Sequence, residues 1–429
     1  MLLGVNFPSA TFGDQNVPGT FGTDYTYPTH QDIDYFASKG MDVIRLGFEA
    51  ERVQPNTNGP LDPAELARMD DIVNYAASKG IDVVLDMHDY GTVHNMLVGT
   101  SDAANAAFAD VWGKLASHFA DNSNVIFGLM NEPNQQSASD WIGGANAAIA
   151  AIRQAGATQE VLVPGSYWDG AASWTTSDNA AVVGTQVHDP LHNYAFEVHN
   201  YLDSDGSGTH ANVVSDTIGV ERLTAVTQWA EATGNKLFLG EFGVASDPTS
   251  LKAMDNMLSY MQQHSDVWQG GTYWAAGPWW GNYMFSVEPE NGVDQPQMAV
   301  LNRYTDGATH SASGTGGTQA ASSTTATNST PATDPGDNQT AATSSSSDTN
   351  SAPATNSSTA TGTGQDSSSD THHNHGAALH QNNTNAINNA VTVLGNDAHA
   401  ASAADPGSAP SFTHHQFGHF THHFEHVWG

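Results

Sequence analysis

The sequence predicts an α/β protein, a (β/α)8 TIM barrel over residues 1–305 followed by a low-complexity C-terminal tail. Three observations predict it. Eight short runs rich in Val, Ile and Leu alternate with helical stretches, as a closed parallel sheet requires. The phrase Ala-Ser-Lys-Gly closes two successive helices, ahead of Met41-Asp42-Val43-Ile44 and Ile81-Asp82-Val83-Val84. That echo marks repeated strand–helix units, with Gly40 and Gly80 as helix-ending glycines. Two runs also end in a glutamate, in Asn131-Glu132-Pro133 and Gly240-Glu241-Phe242-Gly243, and barrels place their chemistry at the C-terminal ends of their strands.

The elements follow in order. Strand 1 is expected at Leu2–Phe7, with a helix within Thr29–Gly40. Strand 2 is Asp42–Phe48, with a helix over Ala64–Gly80, and strand 3 is Ile81–Met87, with a helix over Asp102–Asp121. Strand 4 is Val125–Met130 and its helix Asp140–Gly156. Strand 5, Val161–Pro164, leads into 166–193, which reads as loop because no helical period is visible. Strand 6 is Ala195–Asn200, with a helix at Val220–Gly234, and strand 7 is Lys236–Leu239, with a helix at Ser250–Ser265. Strand 8 is Gly271–Ala275, and a last helix near Gln297–Tyr304 closes the ring.

Composition bounds the rest. Against 45 acidic residues stand 11 basic ones, a net charge of −34 that repels nucleic acid and anionic lipid. There is no cysteine, hence no disulfide framework or thiol chemistry. No apolar run reaches membrane-spanning length. Met1-Leu2-Leu3 is too short for a signal peptide, so either an export signal is trimmed from this sequence, which gives a secreted or periplasmic location, or the protein stays inside. A monomer is expected.

The strand ends converge on one chemistry. They present Arg45, His88, Asn131, Glu132, His199, Tyr201, Glu241 and Trp274. A single strand-end glutamate is most simply solvated or ion-paired, and Arg45 alone could merely pair with Glu49 or Glu51. Two glutamates on different strands, with cations and a platform indole, are what glycosidic bond cleavage needs. Trp168, Trp174, Trp279 and Trp280 lie in barrel-top loops, where a sugar-binding cleft would account for their cost of exposure.

Asn-Glu-Pro on strand 4, His-x-Tyr on strand 6 and Gly-Glu-Phe-Gly on strand 7 resemble glycoside hydrolase family 5. The segment His199-Asn200-Tyr201-Leu202-Asp203-Ser204-Asp205-Gly206-Ser207-Gly208-Thr209-His210 is similar to the branch holding fungal-type endo-β-1,4-glucanases, as is Pro164-Gly165-Ser166-Tyr167-Trp168. The likeness covers about residues 3–303. It departs from relatives at Ala211-Asn212-Val213, where a cysteine often stands. The resemblance implies Glu132 as general acid/base and Glu241 as nucleophile of a retaining double displacement. It implies that Arg45 and Tyr201 stabilise the charge on Glu241, that Asn131 bonds the sugar 2-hydroxyl, and that His88 and His199 hold hydroxyls and the acid/base. Trp274 would stack on a sugar face, with Trp168 and Trp174 as further contacts. The expected partner is a β-linked polysaccharide, and no cofactor or metal is called for. The rivals are a β-mannanase or other β-glycanase of the family, and a non-catalytic carbohydrate-binding barrel, which predicts a lost carboxylate.

Residues 306–370 read as a Ser/Thr/Asn/Ala-rich linker, with Asn328, Asn338 and Asn356 in chance-level glycosylation patterns. Residues 371–429 read as a His-rich tail in which Phe-Thr-His-His recurs at Phe412 and Phe420. A metal-binding or pH-sensing patch competes there with simple compositional bias.

Overall fold

The computed structural model describes residues 1–305; the linker and the His-rich tail lie outside the described residues. Eight parallel strands close into a barrel in sequence order. They are β1 (Leu2–Phe7), β2 (Val43–Phe48), β3 (Asp82–Met87), β4 (Val125–Gly128), β5 (Val161–Pro164), β6 (Tyr194–His199), β7 (Leu237–Phe242) and β8 (Trp268–Tyr273). Ring closure pairs Leu3 with Gly271 and Val5 with Tyr273.

The outer helices begin where the sequence supplies caps. Around α1 (His30–Ser38), Thr29 and Asp32 form a reciprocal capping box. Asp62 caps α2 (Pro63–Ser78), with proline at the first helical position. Ser101 caps α3 (Asp102–Phe119) and Ser137 caps α4 (Ala138–Gln154). Gly40 and Gly80 follow their helices at φ 75° and 74°, the left-handed conformation expected of them. After β5 the chain is not loop throughout: a π-helical turn at Asn179–Val183 runs into α5 (Gly184–Gln186). Asn179, fully buried, exchanges hydrogen bonds with the Ser166 backbone and anchors that turn. This contact is non-local, so periodicity could not reveal it. Next come α6 (Ile218–Thr233), α7 (Pro248–Gln263, capped by Asp247) and the short α8 (Met298–Leu301). Among the described residues no helix is long and apolar enough to cross a membrane.

Side chains alternate along a strand, so the barrel interior is built in layers. The lower layer is apolar: Val43, Val84, Ile126, Leu162, Ala195 and Phe238 form one cluster, with Leu2 packed against it. Two residues further along β2, β3 and β6 stand Arg45, Asp86 and Glu197, all buried. Room for these charges comes partly from Gly240, where a β-carbon would come within 2.1 Å of Glu197 Oε1. A polar layer inside the barrel therefore supports whatever sits on top of it.

Candidate active site

Glu241 lies within β7, two residues beyond the expected strand end. The register slips on both sides of Gly240: Val198 faces Leu239 but His199 faces Glu241, and Gly271 faces Leu239 but Tyr273 faces Phe242. Such an irregularity re-aims a side chain. Here it turns Glu241 onto the inner face, where Arg45 Nη1 meets its Oε1 at 3.1 Å and the Tyr201 hydroxyl donates to its Oε2 at 2.7 Å.

Arg45 does not pair with Glu49 or Glu51. Its Nη2 lies 3.0 Å from Asp86 Oδ1 and its Nε 2.9 Å from Glu197 Oε1. Nη1 also donates to Asn6 Oδ1 at 3.0 Å, and Nη2 to Asn131 Oδ1 at 2.9 Å. The guanidinium is wholly buried, so it does not touch substrate and acts through Glu241 and Asn131. With its oxygen taken by Arg45, Asn131 is left its amide NH2 to offer a ligand.

Glu132 stands just past β4 at φ 45°, in the left-handed region a β-carbon disfavours. Its turn is held by Asn131 N–H donating to Met87 O at 2.7 Å and Trp168 N–H donating to Pro133 O at 3.1 Å. His199 Nδ1 meets Glu132 Oε1 at 2.8 Å and lies 3.6 Å from Glu241 Oε2. One ring nitrogen thus sits between the two carboxylates. The two carboxylates face one site from different strands of the barrel.

The histidines are carried by acids two residues before them on the same strand face. Asp86 Oδ2 meets His88 Nδ1 at 2.7 Å, and Glu197 Oε1 lies 3.6 Å from His199 Nε2. Burial opposes charge on both rings. For His199 it is outweighed by Asp169 and Glu241, by the bond to Glu132 and by the nearby Glu197, which push its pKa well above 6.5. For His88, Asp86 outweighs burial and raises the pKa. Asp86, despite its burial, is held below the usual carboxylate range by Arg45 and His88. Trp274 stacks on His88 at 5.6 Å between centroids and 17° between planes, and packs edge-on against Trp280.

Trp168 is 55% exposed and Trp279 44%, so both present open ring faces. Trp174 is a correction: it is 0% exposed and packs against Phe196 and Trp229, beneath the loop rather than in the cleft. Trp280 is buried too, its indole N–H donating to Ala276 O. Sequence reasoning missed Asn6, Asp86, Asp169 and Glu197. The period-2 rule could have found Asp86 and Glu197 from His88 and His199. Asp169 lies in an irregular loop and carried no signal.

Several acidic groups are spaced closely enough for a cation. Asp203, with Asp205 and His210, is already occupied by donors from Ser207, Gly208 and His210 of its own loop. Glu49, Asp89 and Glu51 form another, with Asp89 accepting from Ala50 N–H. Around His199 the same proximity is a hydrogen-bonded acid cluster.

A closed (β/α)8 barrel carrying two close carboxylates, an aromatic platform and a charge-compensated floor defines a glycoside hydrolase. More particularly, the chain belongs to glycosyl hydrolase family 5, whose cellulase model matches residues 5–278. It is 39% identical over 306 residues to endo-beta-1,4-glucanase A of Emericella nidulans, covering 70% of this chain and 91% of that one. It is 39% identical over 306 residues to endoglucanase gh5-1 of Neurospora crassa, covering 70% and 76%. Among solved structures, XacCel5A in complex with cellopentaose superposes with a TM-score of 0.69 at 47% identity, covering 71% of this chain and 98% of that one.

Proposed function

We propose that this chain is a retaining endo-β-1,4-glucanase that cuts internal bonds of cellulose or a related β-glucan. The observation that carries this reading is the placement of Glu132 and Glu241 about one ring nitrogen of His199. In the first displacement a Glu241 oxygen bonds the anomeric carbon while Glu132 gives its proton to the departing glycosidic oxygen. In the second, Glu132 takes a proton from water as the water oxygen displaces Glu241, restoring the starting configuration. Arg45 and Tyr201 fix the nucleophile by a charge and a hydrogen bond. Asn131 offers its amide to the 2-hydroxyl, and Trp274 with the exposed Trp168 supports sugar faces. The β-1,4-glucan preference rests on the relatives, which are named endoglucanases, and on the cellopentaose bound by XacCel5A.

Catalysis is assigned to residues 1–305, acting as a monomer. Because a polymeric substrate does not enter cells, the working location is extracellular or periplasmic. The test is reducing-end release from carboxymethyl cellulose, mixed-linkage glucan, mannan and xylan side by side, with proton NMR of the first product. Fast release from the two glucans with the β-anomer appearing first is expected. Preference for mannan overturns the substrate, and an initial α-anomer overturns the retaining pair.

A further inference from the structure

The bond from Tyr201 to Glu241 is made by a hydroxyl at the far end of a ring, so what sets the ring sets the bond. The chain just beyond Tyr201 folds back onto that ring. Gly208 sits there at φ 72°, and a β-carbon on it would stand 2.6, 2.7 and 2.8 Å from Cδ1, Cε1 and Cγ of Tyr201. Carbon atoms in ordinary contact lie ~3.5–4.0 Å apart, so only glycine lets the backbone come this close. The turn is tied down. The buried Asp203 carboxylate accepts from Gly208 N–H at 3.1 Å, from the Ser207 hydroxyl at 3.1 Å and from His210 N–H at 3.2 Å. Arg222, on α6, donates to the Tyr201 carbonyl and, at 2.8 Å, to the Asp203 carbonyl. Phe285 lies nearly parallel to the Tyr201 ring, with 18° between planes and 6.4 Å between centroids. Gly206 makes the contrast. It has φ 74°, yet a β-carbon there would meet nothing closer than Arg222 Nη1 at 3.5 Å.

We propose that Gly208 is a positioning residue: its bare backbone, held by Asp203, is the wall that keeps the Tyr201 hydroxyl on Glu241 Oε2. This rests on the assignment of Glu241 as nucleophile above and deepens it. Arg45 Nη1 and the Tyr201 hydroxyl take one oxygen each of Glu241. Without the Tyr201 bond that carboxylate loses one of its two fixed points and can turn, and attack on the anomeric carbon then starts from a poorer geometry. A β-carbon at position 208 needs about 1 Å of extra room, so the ring or the turn must give. Asp203 and Arg222 hold the turn, so the ring yields. The displacement carries to the hydroxyl, and a 2.7 Å bond is stretched and misaligned. Gly208 reaches the reaction through Tyr201.

Gly208→Ala should lower kcat on cello-oligosaccharides about 10-fold or more and leave KM within about twofold, as expected when one hydrogen bond to a charged group is lost. Gly206→Ala carries the same left-handed strain without the contact, and should keep the wild-type kcat. The pair of variants thus separates positioning from backbone strain. In a Tyr201→Phe background, itself slowed, Gly208→Ala should lower kcat by less than about twofold more, because the bond it disturbs is already gone. Three results each overturn the proposal: an undiminished further loss in that background, a kcat for Gly208→Ala equal to that of Gly206→Ala, or a wild-type kcat in Tyr201→Phe. Should Gly208→Ala not fold, Asp203→Asn loosens the same turn, since it sets an amide among the donors of Ser207, Gly208 and His210. Its loss must vanish in the Tyr201→Phe background, and an additive loss overturns the proposal. A wild-type protein without β-glucan hydrolysis would instead overturn the function itself.

Discussion

Arg45 Nη1 lies 3.1 Å from Glu241 Oε1, with the guanidinium wholly buried and the carboxylate nearly so. The same fork reaches Asp86, Glu197, Asn6 and Asn131, which only a planar group with five donors can do. Arg45→Met, similar in volume, would remove the one cation shared by the buried carboxylates Asp86, Glu197 and Glu241 and should cost about 3–5 kcal/mol in urea unfolding. Arg45→Lys should recover part of that stability but not turnover, since a point charge cannot orient Glu241 and Asn131 together. We expect kcat to stay about 10²-fold or more below wild type. A lysine variant with near-normal kcat would show that charge alone suffices.

Glu132→Gln should lower kcat on unactivated β-glucan roughly 10²–10⁴-fold with the fold intact, because it removes a group that acts as the reaction proceeds. Glu241→Gln should leave still less, having no nucleophile to form the covalent intermediate. For Glu241→Ala, azide should restore cleavage of an activated glycoside and give the α-configured azide product, since a small anion enters in place of the carboxylate. Appreciable activity in either glutamine variant, with unchanged circular dichroism, would exclude that residue.

Trp168 and Trp174 separate binding from stability. Trp168→Ala removes an open ring face, so KM for long cello-oligosaccharides should rise several-fold while the melting temperature barely moves. Trp174→Ala opens a cavity between Phe196 and Trp229 and should cost about 3–5 kcal/mol, with little effect on KM in the fraction that remains folded. The reverse pattern would exchange their roles.

The eight strands and most helices were legible because each carries its own punctuation: Asp or Ser caps, Gly40 and Gly80, and apolar runs of strand length. The cleft residues were legible where a strand end is also a motif. What could not be read has a common cause. Glu241 enters the barrel through a slipped register at Gly240, which breaks the strict alternation that sequence reasoning assumes. Trp174 and Asp169 lie in one irregular loop, where nothing local distinguishes a side chain pointing inward from one pointing out. Arg45 was found, but its partner Glu197 comes from β6 on the far side of the ring, and only closure of the sheet brings it to Arg45, whereas Asp86 stands on the neighbouring β3.

Glu288 offers a pH test away from the catalytic pair. Burial, with Asp32 beside it, pushes its carboxyl up to about 7, although Gly277 N–H donates to Oε2 at 2.8 Å and pulls the other way. A carboxyl that titrates at about 7 folded and 4.5 otherwise binds its proton more tightly in the native state. Its effect on stability is therefore intact below pH 4.5 and is lost as pH climbs to about 7. Glu288→Gln has no proton to lose, keeps an acceptor for Gly277 and gains a donor towards Asp32. Titrating groups that do not face Glu288 are common to both proteins and cancel in the difference, leaving Glu288 with its neighbour Asp32. Melting temperatures at pH 4.5, 6 and 8 should therefore diverge steadily, with the variant ahead at pH 8. Parallel curves across that range would place the Glu288 carboxyl at its ordinary value.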